Sequence, residues 1–271
     1  MKPIIFAIFM LFAIAINAAD FHHVHIRAQD TLLSATWYAE NMSGEQLRIA
    51  NFHGVRFGRK LMLFAPKQRP GPDGSDAPSM LKSSSGTSVD HLGFSFKEFE
   101  SKLISLQLAG AKVTRAPKTF DYDRSFLQAF IEDPWGQKIA LLSDPKIEGL
   151  HHVHIVSTEP VKAVRWFSNS FGGLVESFNG NKELPAIRYA DFWLVASKSE
   201  AEPDPNMFSM IDHLGFHVSD VDKKMLGLKN VKVLKPAHGF YWWQAIPGMP
   251  GPKNGFVESP SKILIEVMQL K

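Results

Sequence analysis

The chain has 271 residues, 45% of them apolar and 21% charged, enough for a packed core and, at about 100 to 200 residues per domain, for two domains. Disorder, collagen and coiled coil are excluded, and a formal net charge of only +3, counting Lys2, gives no basic field for a nucleic-acid partner. With 11 histidines and no cysteine, thiolate ligands, thiol nucleophiles and disulfides are ruled out, so any metal must be held by nitrogen and oxygen.

Lys2 precedes an apolar run over residues 4–16 and the small residues Asn17, Ala18 and Ala19, the pattern of a secretory leader. Residues 1–19 are therefore expected to be a signal peptide cleaved near Ala19, and the mature chain to be secreted or periplasmic. The run is shorter than the roughly 20 residues of a spanning helix, and no later stretch is apolar enough, so no membrane span is expected in the mature chain.

Past the leader, His22-His23-Val24-His25-Ile26 recurs unchanged as His151-His152-Val153-His154-Ile155, and Asp90-His91-Leu92-Gly93-Phe94 recurs as Asp212-His213-Leu214-Gly215-Phe216. Two ordered repeats of this kind divide the chain into halves. Each pentapeptide reads as a strand leading into a helical segment, over residues 30–41 and 97–109 in the first half, and then into short strands. In the first half those strands cover 46–52, 60–65 and two runs ending at Leu142. A Pro/Gly/Ser-rich loop spans 67–88, and residues 144–149 form the expected boundary. The expected class is α+β, four strand–helix–strands units in two pairs, with curved, mostly antiparallel sheets backed by helices. The domains are then 20–144 and 150–271.

Side chains alternate along a strand, so His152 and His154 share one face while Val153 and Ile155 take the core. On the later strand His213, Gly215 and His217 share the cup face, opposite Leu214 and Phe216. Near the C-terminus, Pro260 opens a turn before residues 263–268, an apolar strand interrupted by Glu266. A carboxylate in such a run must be paired or coordinate a cation. Two imidazoles and a carboxylate form the facial set that suits Fe(II) with open positions and also accepts Mn, Zn or Ni. The same residues also fit ordinary hydrogen-bonded histidines and a Glu266 paired with an arginine or lysine.

At these residues the chain resembles the vicinal oxygen chelate superfamily, the glyoxalase, bleomycin-resistance and type I extradiol dioxygenase group. The resemblance rests on His152, Trp166-Phe167, Asp212-His213 and Pro260 to Glu266 in the second half, and on His23, Trp37-Tyr38, Asp90-His91 and residues 133–136 in the first. It implies paired βαβββ units closing into cups, one divalent metal, Fe(II) favoured, and a small organic substrate chelated through adjacent oxygens. Carried over residue by residue, it implies metal ligands His152, His213 and Glu266. The first half has Ala140 in the place of Glu266 and reads as an incomplete copy kept for packing. The implied activity is dioxygenase-like or glyoxalase-like (lyase or isomerase); the alternative is a non-catalytic binding or sequestering protein of the bleomycin-resistance type.

Relative to the first half, about eight residues are added between 232 and 259, in a segment holding His238, Tyr241, Trp242, Trp243 and a Pro/Gly run. Such a loop is either a binding lid or an aromatic cover for a shortened helix. His217, His154, His238 and Tyr241 are the candidate acid/base groups, with His217 preferred because Gly215 leaves space beside it.

Overall fold

The structure is a computed structural model and describes residues 19–119, 126–239 and 252–270. The expected leader, Ala19 apart, lies outside the described residues. Four βαβββ units follow one another. The first is β1 (Asp20–Ala28), α1 (Thr31–Asn41), β2 (Glu45–Ile49), β3 (Phe52–Phe57) and β4 (Lys60–Pro66). The second is β5 (Val89–Ser95), α2 (Phe99–Leu108), β6 (Lys112–Thr119), β7 (Leu127–Glu132) and β8 (Lys138–Leu142). The third is β9 (Gly149–Ser157), α3 (Pro160–Phe171), β10 (Leu174–Ser177), β11 (Pro185–Arg188) and β12 (Trp193–Lys198). The fourth is β13 (Ile211–His217), α4 (Val221–Gly227), β14 (Lys232–Gly239), β15 (Lys253–Glu258) and β16 (Leu264–Gln269). The single strand expected over 46–52 is in fact the start of a hairpin, because Ala50 takes a left-handed φ of 51° and turns β2 back into β3.

Local signals place the helices. Asp30 caps α1 by accepting from the Leu33 N–H at 2.9 Å, and α3 starts on Pro160, whose missing N–H costs nothing in a first turn. That helix stops at Gly172, φ 79°. No helix among the described residues is long and apolar enough to cross a membrane.

Two eight-stranded sheets result, ordered β14-β15-β16-β13-β1-β4-β3-β2 and β10-β11-β12-β9-β5-β8-β7-β6. The first therefore joins units one and four, and the second joins units two and three. The sequence reading pairs units within halves 20–144 and 150–271; the sheets cross those halves instead. Within each half the two units meet in the helical layer. Tyr38 of α1 packs on Phe94 of β5 with ring centroids 6.2 Å apart and donates to Asp133 Oδ2 at 2.7 Å, while the Trp37 indole donates to the Ala109 carbonyl. In the second half Phe171 of α3 stacks on Phe216 of β13 at 4.3 Å, and the Trp166 indole donates to the Lys229 carbonyl. One hydrophobic cluster runs through all four units, with Val24, Leu92, Val153 and Leu214 fully buried in it. Each such side chain contributes about 1.5–3 kcal/mol, so the halves are held by their helix-backed faces and leave the opposite faces free to form cups across the halves.

Candidate metal centre

On β1 the core takes Val24 and Ile26, so the alternation of side chains turns His23 and His25 to the other face, into the first cup. On β13 it likewise turns out His213 and Gly215. The register places His23 opposite Gly215 and His25 opposite His213, with Gly215 in turn opposite Glu266 of β16. Gly215 is what lets these meet. A Cβ there would lie 2.0 Å from His23 Cε1 and 2.6 Å from its Nε2, because the His23 ring lies across β13 toward Glu266.

Three strands thus bring two imidazoles to one carboxylate. His23 Nε2 lies 3.2 Å from Glu266 Oε2, and His213 Nε2 lies 3.3 Å from the same oxygen. His25 adds a third ring, its Nδ1 3.0 Å from His213 Nε2. One ligand atom from each of His23, His25, His213 and Glu266 falls within 4.8 Å of the others, and all four residues are at most 7% exposed.

Each of these groups is held from outside the centre. Asp212 Oδ2 binds His213 Nδ1 at 2.8 Å, and the buried Arg27 grips the same carboxylate through Oδ1, so the ring presents Nε2 inward. His22 Nδ1 holds His23 Nδ1 at 3.0 Å, and Asn254 donates to Glu266 Oε1, leaving Oε2 for the centre. This is the outer shell that orients metal-binding imidazoles and carboxylates. His22 reaches it through a bulge. The β1–β13 register slips between Phe21 and His23, turning His22 into the cup cavity, and its counterpart His151 sits at the matching slip between β5 and β9. Strand alternation puts His151 on the core face, and the bulge is why it is not there.

Burial alone would raise Glu266, but its bond to His213 and the His23 imidazole beside it hold it well below the usual carboxylate range. His213 is lowered by burial and raised more by Asp212 and Glu266. Burial keeps His23 and His25 below the ordinary histidine value and pushes His22 down to about 3. The centre therefore combines an ionised carboxylate with two imidazoles, His23 and His25, that burial keeps neutral.

A divalent ion fits this donor set. His23 Nε2 is buried and, although near Glu266, has no bond of hydrogen-bonding geometry; His25 Nε2 is buried and equally unpartnered. No lysine or arginine among the described residues forms an ion pair with Glu266, so the arginine or lysine partner that the sequence leaves open is not what holds it. The centre opens on a cavity of about 650 Å³ walled by Phe52, Leu63, Phe256 and Met268, with Arg69 at its mouth.

The structure brings two of the three expected ligands together and replaces the third. His213 and Glu266 meet, but His152 is on β9, in the second sheet, packed against His91 at 5.6 Å between ring centroids. His23 stands in its place. The expected acid/base residues also scatter. His154 lies in the second cup, bonded to Ser197 Oγ at 2.9 Å. His217 lies beyond the centre, in a smaller cavity with His22, Arg59 and Tyr189. His238 is on β14, its Nδ1 bonded to the Pro236 carbonyl at 3.2 Å. Tyr241, Trp242 and Trp243 lie outside the described residues. His25 is the group that sequence reasoning passes over, although its alternation with His23 is the signal that could have found it.

No protein-family model matches the sequence, and no curated relative matches it. Solved structures do. Glyoxalase I from Zea mays superposes with a TM-score of 0.68 at 15% identity, covering 93% of this chain and 92% of that one. A point mutant of that enzyme gives the same TM-score at 17% identity and the same coverage. A Bacillus subtilis protein named only provisionally as a dioxygenase gives 0.62 at 12% identity, covering 93% of this chain and 86% of its own. Four βαβββ units, two curved eight-stranded sheets and these neighbours together show that the chain has the vicinal oxygen chelate fold, shared with glyoxalase I.

Proposed function

We propose that the cup shared by the first and fourth units is the active site of an exported, metal-dependent enzyme that takes a small organic substrate through two adjacent oxygens, of the dioxygenase type. The observation that carries this reading is the set His23, His213 and Glu266, buried on three neighbouring strands and facing the cavity. Such a set suits Fe(II) with open positions and accepts Mn, Zn or Ni. Once bound, the metal would supply Lewis-acid or one-electron redox chemistry.

The chain's own residues do the rest. On β4 the positions opposite His23 and His25 are Leu61 and Leu63, both buried, so the last strand of the first unit adds no fourth ligand at those positions. Phe52, Leu63 and Phe256 keep bulk water from the substrate side. His25, held neutral by burial, has an unpartnered Nε2 and is the imidazole placed to accept a proton from a hydroxyl brought to the centre. Arg69 lies over the Phe52 ring at 4.6 Å and makes the mouth positive.

A second reading, lyase or isomerase chemistry of the glyoxalase type, is favoured by His25 if it serves as a fourth donor. The two are separated by anaerobic loading with Fe(II), then oxygen uptake with catechols against turnover of 2-oxoaldehydes without oxygen. Oxygen uptake supports the first reading and oxygen-free turnover the second. Tight ligand binding with no turnover in either arm overturns both in favour of a sequestering protein.

A further inference from the structure

Among the described residues, the second cup repeats the first in all but the carboxylate. His91 and His152 meet with ring centroids 5.6 Å apart and planes at 80°, as His213 and His23 do at 5.6 Å and 81°. Gly93 serves His152 as Gly215 serves His23, since a Cβ there would lie 1.9 Å from the His152 ring. Opposite Gly93, where β16 carries Glu266, β8 carries Ala140. A third imidazole, His154, lies over His91 with centroids 4.5 Å apart. One ligand atom from each of the three residues falls within 4.8 Å of the others.

From this we infer that the second cup is a metal site of its own, built from the three imidazoles of His91, His152 and His154, and selective for zinc or another ion that prefers nitrogen. The outer bonds fix which nitrogens face inward. His91 Nδ1 bonds Asp90 Oδ2 at 2.6 Å, with Lys138 on the same oxygen, so His91 donates from Nδ1 and its Nε2 carries the lone pair. His151 Nε2 bonds Asp144 at 3.2 Å, which makes His151 Nδ1 an acceptor. His152 Nδ1, 3.1 Å away, must then donate, leaving the lone pair on His152 Nε2. His154 Nε2 is taken by Ser197, leaving Nδ1.

Among the described residues none of these three inward nitrogens has a hydrogen-bond partner. Imidazoles whose outer nitrogens are all engaged while the inner ones face each other are what a metal's outer shell produces. Ligation at 2.0–2.1 Å sets nitrogens about 3.4 Å apart in a tetrahedron, so atoms lying within 4.8 Å of one another must close by up to about 1.4 Å. The nearly parallel rings of His91 and His154 (15°) require one to tilt. His154, half-buried and held by a single hydroxyl, is the one free to do so. With no carboxylate among the described residues, the site disfavours Mn²⁺ and Mg²⁺ and suits Zn²⁺, Cu²⁺ or Ni²⁺.

The test is Zn²⁺ stoichiometry on the metal-free full chain by calorimetric titration and equilibrium dialysis. We expect two Zn²⁺ per parent chain, one in the double variant His213→Ala/Glu266→Ala, and one in His152→Gln. Zn²⁺ should also raise the melting temperature of the double variant, a readout that does not depend on His152→Gln folding. One Zn²⁺ in the parent and none in the double variant overturns the inference while leaving the proposed active site intact. One Zn²⁺ kept by the double variant and lost in His152→Gln supports the inference and removes the metal from the proposed active site.

Discussion

Gly215→Ala perturbs the first centre without touching a ligand. The added Cβ would stand 2.0 Å from His23 Cε1 and 2.2 Å from Nδ1, about 1.5 Å inside carbon contact distance. The ring cannot swing aside easily. It is 1% exposed, held by His22 at Nδ1 and bordered by His25 and His213 at 5.7 and 5.6 Å between centroids. Overpacking of this kind costs about 1–3 kcal/mol, which for a chain of this size lowers Tm by about 2–12 °C. Losing an outer partner already costs about 10- to 100-fold in metal affinity, and displacing His23 itself should cost more. Mn²⁺ binding followed by electron paramagnetic resonance, with Tm alongside, reads both effects. Gly255→Ala is the control, since its Cβ would meet the flexible end of Met225 at 2.9 Å and backbone only at 3.2 Å. Parental Mn²⁺ affinity in Gly215→Ala would refute the claim that the His23 ring crosses β13 to reach the centre.

Other consequences follow from the same geometry. Ala140→Glu places a carboxylate opposite Gly93 and should raise Mn²⁺ from one to two per chain; without metal the variant should melt lower, because an unpaired buried carboxylate is costly. Tyr38→Phe removes the donor to Asp133 Oδ2 and should cost about 1.5–3 kcal/mol in denaturant unfolding at neutral pH, as for a bond to a charged group. Burial holds the Asp133 carboxyl above its ordinary value. Its own contribution to stability is therefore full below the unfolded pKa and falls as pH rises through the folded one, and the Tyr38→Phe penalty should shrink as pH falls and Asp133 becomes neutral. A penalty that grows in acid contradicts this. N-terminal sequencing of the protein recovered outside the cytoplasm should begin at Asp20; an intact Met1 in that fraction contradicts the leader.

Much of this molecule is legible in its sequence, but not the pairing of its units. The repeated pentapeptides mark the four units, and strand alternation turns His213 and His152 to cup faces while Val153 and Leu214 go to the core, as the structure shows. Glu266 stands out because an acid in an apolar strand needs a partner. The reading fails over which histidine strand faces Glu266, because residues 22–26 and 151–155 are identical and nothing local tells β1 from β9. That choice is made by tertiary packing. Phe171 on Phe216 and Tyr38 on Phe94 bind each half through its helices, which obliges the sheets to pair across the halves. The bulges that turn His22 and His151 inward are likewise a property of strand pairs, invisible to alternation along one strand.

The central claim is that one centre is built by the first and fourth units. It is tested most directly by Mn²⁺ stoichiometry in His23→Ala and His152→Ala, since Mn²⁺ selects the cup that has a carboxylate. The account predicts one Mn²⁺ in the parent, none in His23→Ala and one in His152→Ala. Loss of Mn²⁺ in His152→Ala with retention in His23→Ala would contradict it and return the centre to the C-terminal half alone.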